Sequence, residues 1–178
     1  MIKRKETNNM GFDLTGLNPQ ADTPEPKWDG GDPMTKVAGT EHQYEVDPQI
    51  KEEYDDFMKS RMEWQEANEG AYFRNNVWFW RPLWNFVTGC CDNILTERDV
   101  EQGYFNDGHK ICKTKAKRIA SRLRKYLKNG HISAYEAWYS KEISQLKEGD
   151  WNKNYPFSIQ NVRDFERFCE HSGGFRIC

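Results

Sequence analysis

The sequence predicts a mainly α protein: a single small helical domain over residues 10–178, with at most a minor two- or three-stranded β element. Three observations lead there. Apolar residues recur at helical spacing in five separate stretches, most of them opened by a capping residue or closed by Asn or Gly. No strand–helix–strand alternation and no internal repeat is visible. The chain has 178 residues, enough for one domain with a real core.

Taken in order, Met1 to Asn9 is basic and polar and reads as a disordered lead-in with no signal peptide, and Met10 is an alternative start. Gly11 to Leu17 reads as a short strand. Residues 18–47 hold Pro19, Pro24, Pro26, Pro33 and the Gly30-Gly31 pair, and read as a long loop or insertion. Asp47-Pro48 starts a helix, with Asp as N-cap and Pro in the first turn. Ile50, Tyr54, Phe57, Met58 and Met62 fall on one face, and Asn68 to Gly70 ends it. Pro82 suggests a second helix from about Arg81. Thr96 to Asp99 reads as a capping box with Asp in the usual Glu place. Asn106-Asp107-Gly108 is expected to cap the clearest helix, whose stripe is Ile111, Cys112, Ile119, Ala120, Leu123, Tyr126 and Leu127, and Asn129-Gly130 to end it. Tyr135, Trp138, Tyr139, Ile143 and Leu146 mark another helix. Ser158 caps a last one, bearing Val162, Phe165, Phe168 and Cys169. Gly173-Gly174 follows, and Phe175 to Cys178 is expected as an edge strand.

The average residue is polar, with mean hydropathy -0.99, but 14% aromatics offset this because large rings bury much area each. The longest nearly apolar run, Val77 to Val87, contains Arg81, Pro82 and Asn85 and is shorter than the roughly 20 residues of a membrane span. Five cysteines, an odd number without a CxxC pair, read as free thiols in a reducing cytoplasm. Net charge is -2 but unevenly placed: Glu41 to Glu69 holds ten acids, and Lys110 to Lys128 holds nine Lys or Arg and no acid.

The most informative stretch is Tyr72 to Trp84, YFRNNVWFWRPLW, with three of the seven tryptophans and two arginines. If Val77 to Trp80 is extended, Trp78 and Trp80 point to one side. Indole faces beside Arg74 and Arg81 suit a planar anion, stacked on the rings and gripped by guanidinium. The alternative is that both tryptophans close the core with the arginines packed over them. Trp84 is expected in the core. The candidate ligand-binding residues are therefore Arg74, Asn75, Trp78, Trp80 and Arg81, with His109 beside the Asn106–Gly108 step as a sixth.

Other chemistries are weaker. The strings of hydrolases, zincins, P-loops and dinucleotide folds are absent. His109 and Asp107 could form the acid/base pair of a nucleotide-processing enzyme, although Asp107 would oppose an anion. His109, Cys112, Cys169 and His171, together with Cys90 or Cys91, could in principle make a tetrahedral zinc site, but their spacing is that of no zinc motif. The basic 110–128 helix could track nucleic-acid phosphates, but a solvated or internally paired face explains it as well, and the slightly acidic chain (pI ≈ 6.1) repels polyanions. The sequence implies no cofactor, no metal and no membrane span, and is silent on oligomeric state.

Met10-Gly11-Phe12-Asp13 with Gly16 and Pro19, the Tyr72–Trp84 run, Asn106-Asp107-Gly108 and Gly173-Gly174-Phe175 together resemble a family of small uncharacterised proteins of phages and prophages. That family has no assigned activity. The resemblance implies a phage-type product in the cytoplasm of a bacterial host. The expectation is a non-enzymatic accessory protein, with a host-takeover or anti-defence role, that binds a host protein or a small anionic, nucleotide-like ligand.

Overall fold

The computed structural model describes residues 11–36 and 44–178; the expected lead-in over Met1–Asn9 and the alternative start at Met10 lie outside them. The described residues form two compact units, one from residues 11–20 with Glu69–Cys178 and one from Ala21–Asn68.

The first unit corrects the mainly α expectation: it is mixed α/β, with a four-stranded antiparallel sheet rather than a minor β element. Strands β1 (Gly11–Gly16), β4 (Tyr72–Asn76), β5 (His109–Cys112) and β6 (Gly174–Ile177) run in the order β4-β1-β6-β5. Leu14 pairs with Phe73 on one side and Ile177 on the other, and Ile111 pairs with Phe175. Alternation puts Phe12, Leu14, Phe73, Ile111, Phe175 and Ile177 on one buried face. Asp13, Arg74, Lys110 and Arg176 lie on the opposite face. Helices α2 (Val77–Cys90), α4 (Lys113–Lys128) and α6 (Ile159–His171) cover the buried face, through Leu83, Trp84, Val87, Ile119, Leu123, Phe165 and Phe168 among others. Short α3 (Glu97–Gln102) and α5 (His131–Gln145) complete this unit, and α5 buries only Ile132.

Three local differences follow from strand pairing. β6 is interior, not an edge, because β1 and β5 take both its sides and Cys178 exchanges backbone bonds with Asp13 (2.8 and 2.7 Å). Asn106-Asp107-Gly108 does not cap a helix. Gly108 adopts φ +92° and its N–H donates to Ile177 O (2.7 Å), which starts β5 and delays α4 until Lys113. The extended stretch ends at Asn76, so Val77 to Trp80 is helical. The Asn76 side chain accepts from Phe79 N (3.1 Å), and Trp80 and Trp84, one turn apart, stack at 5.3 Å with both rings fully buried. Their burial holds Pro82 inside the helix rather than at its start.

Gly103, just past α3, lies against that pair. It accepts from Trp80 Nε1 (2.8 Å), and a Cβ on it would sit 2.1 Å from Trp84 Cε2. Gly103→Ala is expected to cost about 2–3 kcal/mol by overpacking. Urea denaturation checks this; a loss under about 0.5 kcal/mol would mean that α3 yields freely.

In the second unit, β2 (Met34–Lys36) and β3 (Tyr44–Val46) pair antiparallel within the 18–47 stretch, ahead of α1 (Pro48–Ala67). Asp47 caps α1 as expected, accepting from Gln49 N and Ile50 N (3.0 and 3.1 Å). Trp28 packs on Tyr54 and Phe57, and Trp64 Nε1 donates to Thr23 O (2.9 Å). No residue of α1 is fully buried. Among the described residues no helix is long and apolar enough to cross a membrane.

Candidate functional site: an arginine and aromatic cleft

The face of α2 opposite Trp80 and Trp84 carries Trp78, Arg81 and Asn85, which share one side at helical spacing. Three further pieces of the first unit face it. Tyr139 comes from α5, Trp151 and Asn152 from a short 3-10 helix (Trp151–Asn154), and Tyr155 follows directly. The Asp150 side chain caps that turn, accepting from Asn152 N (2.9 Å), and Tyr139 OH donates to Tyr155 O (2.9 Å). Phe157 anchors the segment by packing between Phe86 and Tyr135, 5.3 and 4.8 Å away.

The result is a cleft of about 330 Å³ lined by Arg81, Pro82, Asn85, Tyr139, Trp151, Asn152 and Tyr155. Trp78 stands behind it, edge-on to Trp151 (5.6 Å) and tilted on Tyr155 (4.9 Å). Arg81 lies over the Tyr155 ring, its Cζ 5.9 Å from the centroid, and Nη1 reaches Tyr155 OH at 3.4 Å. No carboxylate lines the cleft, and Arg81 has no ion-pair partner among the described residues. Asn85 Oδ1 already accepts from Tyr104 OH, so its amide N–H groups remain as donors. Burial, with Tyr135 alongside, pushes the Tyr139 hydroxyl above its ordinary pKa and keeps it a neutral donor. Arg81, Asn85 and Tyr155 thus offer donors between ring faces.

Two of the six sequence candidates meet here, Trp78 and Arg81. The other four are elsewhere. Trp80 is fully buried, which excludes it as a pocket wall. Arg74 is on the opposite sheet face, 3.5 Å from Asp13. Asn75 is buried and donates to Asn161 Oδ1 (2.9 Å), tying β4 to α6. His109 is on β5. Asn85, Tyr139, Trp151, Asn152 and Tyr155 were not predicted. Their one signal is the Trp151–Tyr155 string WNKNY, which fits no apolar helical stripe.

No protein-family model, curated protein or solved structure matches the chain.

The remaining candidates resolve as follows. His109 is bonded to Asp99, not Asp107: its Nε2 stands 3.0 Å from Asp99 Oδ1. Asp99, about 5% exposed, also accepts from Thr96 N (2.8 Å), Thr96 Oγ1 (2.7 Å) and Lys115. Burial alone would raise its carboxyl, but the bonds from Lys115, Thr96 and His109 prevail and hold it far below the ordinary carboxylate range. Much of the basic charge on α4 is used internally. Lys117 pairs with Glu170, and Arg124 with Glu166 and Glu170. Arg118 and Arg122 donate to the carbonyls of Asn93 and Cys90. That pairing leaves fewer cations for nucleic-acid phosphates. Among the described residues no three His, Cys, Asp or Glu side chains gather as metal ligands.

Proposed function

We propose that the protein is a non-enzymatic binding protein that holds a small, planar, nucleotide-like anion in the Arg81–Tyr155 cleft. The observation that carries this reading is one uncompensated guanidinium set among ring faces with no carboxylate in the lining. An aromatic cage alone would suit a cation. Arg81 reverses that preference, because a bound cation would meet its charge while an anionic group would pair with it. A volume of about 330 Å³ lies at the small end of ligand sites, which run from roughly 300 to 1,000 Å³. A second reading, docking of a host protein, is favoured by Trp138 and Trp151, exposed at 54% and 67%. The phage-type setting in a bacterial host rests on the sequence resemblance alone.

A nucleotide panel titrated against tryptophan fluorescence tests the cleft, since Trp78 and Trp151 report from it. Arg81→Ala and Trp151→Ala are each expected to weaken binding by about tenfold or more, with stability changed by less than about 0.5 kcal/mol because both side chains are exposed. Arg74→Ala should bind like wild type. If no nucleotide quenches wild type and native mass spectrometry finds no retained molecule, the ligand reading is wrong. Equal affinity of wild type and Arg81→Ala would remove the cleft as its place.

A further inference from the structure

A nucleotide offers a base edge as well as an anionic group, and the polar side chains of the aromatic cleft do not suit every edge equally. Asn85 stands one helical turn beyond Arg81 on α2, a spacing that sets Cβ atoms about 5–6 Å apart. Its Oδ1 accepts from the hydroxyl of Tyr104, a half-buried residue just past α3 that packs on the core and does not line the cleft. That bond turns the oxygen toward Tyr104 and leaves the Nδ2 end of the amide, which only donates, for the cleft side.

Tyr139 is fixed in the opposite sense. Its one hydroxyl hydrogen goes to Tyr155 O at 2.9 Å, so toward the cleft its oxygen only accepts. Asn152, by contrast, has no side-chain hydrogen bond among the described residues, and its amide can turn to suit either kind of ligand. The lining therefore carries one oriented donor and one oriented acceptor. A base with a ring carbonyl beside a ring N–H, as in guanine, hypoxanthine or uracil, presents the complementary pair. Adenine and cytosine present an amino donor in the carbonyl's place. Against them the Asn85 amide would meet another donor and lose its bond to water without gaining one.

We propose that the cleft selects nucleotides whose base carries a ring carbonyl, with Asn85 Nδ2 donating to that carbonyl, Arg81 pairing with the phosphate, and Tyr104 as the positioning residue that sets the choice. The selection rests on the cleft being a nucleotide site and adds to it the kind of base and the residues that read it.

Inosine monophosphate and adenosine monophosphate differ in little but this edge. The ratio of their dissociation constants, measured by tryptophan fluorescence on the full chain, is therefore the test. Wild type is expected to bind inosine monophosphate about tenfold more tightly, the effect of one oriented hydrogen bond made against one lost. Uridine over cytidine monophosphate should repeat the preference. Tyr104→Phe keeps the ring against the core but lets the Asn85 amide rotate. It should reduce the ratio to about twofold or less, with adenosine monophosphate bound as well as by wild type or better. A merely structural role for Tyr104 would weaken both nucleotides alike and leave the ratio unchanged. Asn85→Leu should abolish the ratio by weakening inosine monophosphate alone. Arg81→Ala should weaken both nucleotides and keep the ratio. Equal binding of the two by wild type, with both weakened by Arg81→Ala, would overturn the base selection and leave the cleft reading standing. A preference that survives in Tyr104→Phe or Asn85→Leu would overturn it too. Binding of neither nucleotide pair would overturn both.

Discussion

Trp80→Ala is expected to cost about 3–5 kcal/mol of folding stability, in the upper range for a large ring removed from a core. Trp80 is fully buried. Its ring stacks on Phe12 and Trp84, each at 5.3 Å, and meets Phe165 edge-on at 5.8 Å. Alanine removes those contacts from a closed space bounded by strand and helix, so little can collapse into the cavity. It also leaves Gly103 O without the indole N–H that reaches it at 2.8 Å, a buried acceptor lost at about 1 kcal/mol or more. Trp80→Phe should recover part of the packing but not that bond. Urea unfolding followed by circular dichroism gives the number. The comparison with Trp151→Ala is the informative one, since that ring is 67% exposed and its loss should scarcely move the midpoint. A Trp80→Ala cost under about 1 kcal/mol would return Trp80 to the role of a pocket wall.

Residues that act locally were the most legible in the sequence. Asp47-Pro48, the Thr96–Asp99 capping box, Ser158 and Asn129-Gly130 all bound helices where the sequence places them. Each satisfies backbone groups within a few residues of itself, and such chemistry needs no knowledge of the rest of the chain. The sheet was partly hidden for the opposite reason. β1 could be read from Gly11 to Leu17, but β4 and β5 are five and four residues long and each runs directly into a helix. Their apolar residues therefore merge with the helical stripe that follows, as Ile111 and Cys112 did. What makes His109–Cys112 a strand is Gly174–Ile177, more than sixty residues away. The same distance effect governs the site. Arg81 and Trp78 announced themselves inside a dense aromatic run, while Trp151 and Tyr155 belong to it only because Asp150 and Tyr139 hold their turn in place. The basic stretch shows the limit of one-dimensional charge counting. Its acidic partners, Asp99, Glu166 and Glu170, lie on α3 and α6, all outside the basic stretch itself, and two of them are some forty residues beyond it.

Asp99→Ala is expected to cost about 3 kcal/mol near neutral pH, at the low end for removing one member of a buried ion pair because Lys115, 26% exposed, can turn toward water. The substitution removes the Thr96 capping box and the acceptor of both His109 and Lys115 at once. Asp99→Asn keeps the shape and isolates the charge. The sign of its pH dependence follows from the direction of the shift. The Asp99 carboxyl sits lower in the folded protein than the ordinary value of about 3.9 expected in the unfolded chain. Its stabilisation is therefore fully present above that ordinary value. It is lost as pH falls below it toward the folded value, because the unfolded chain binds the proton first. Glu170 acts in the same sense, lowered chiefly by the hydrogen bond from Lys117 against a smaller opposing effect of burial, with Arg124 adding to it. Wild type should thus lose stability steadily on acidification below about pH 4, and Asp99→Asn should lose less over the same interval, keeping only the slope contributed by Glu170 and the other carboxylates. Urea midpoints measured from neutral pH down to about pH 2.5 decide the matter. Parallel curves for the two proteins would mean that Asp99 is not held ionised by its three donor residues.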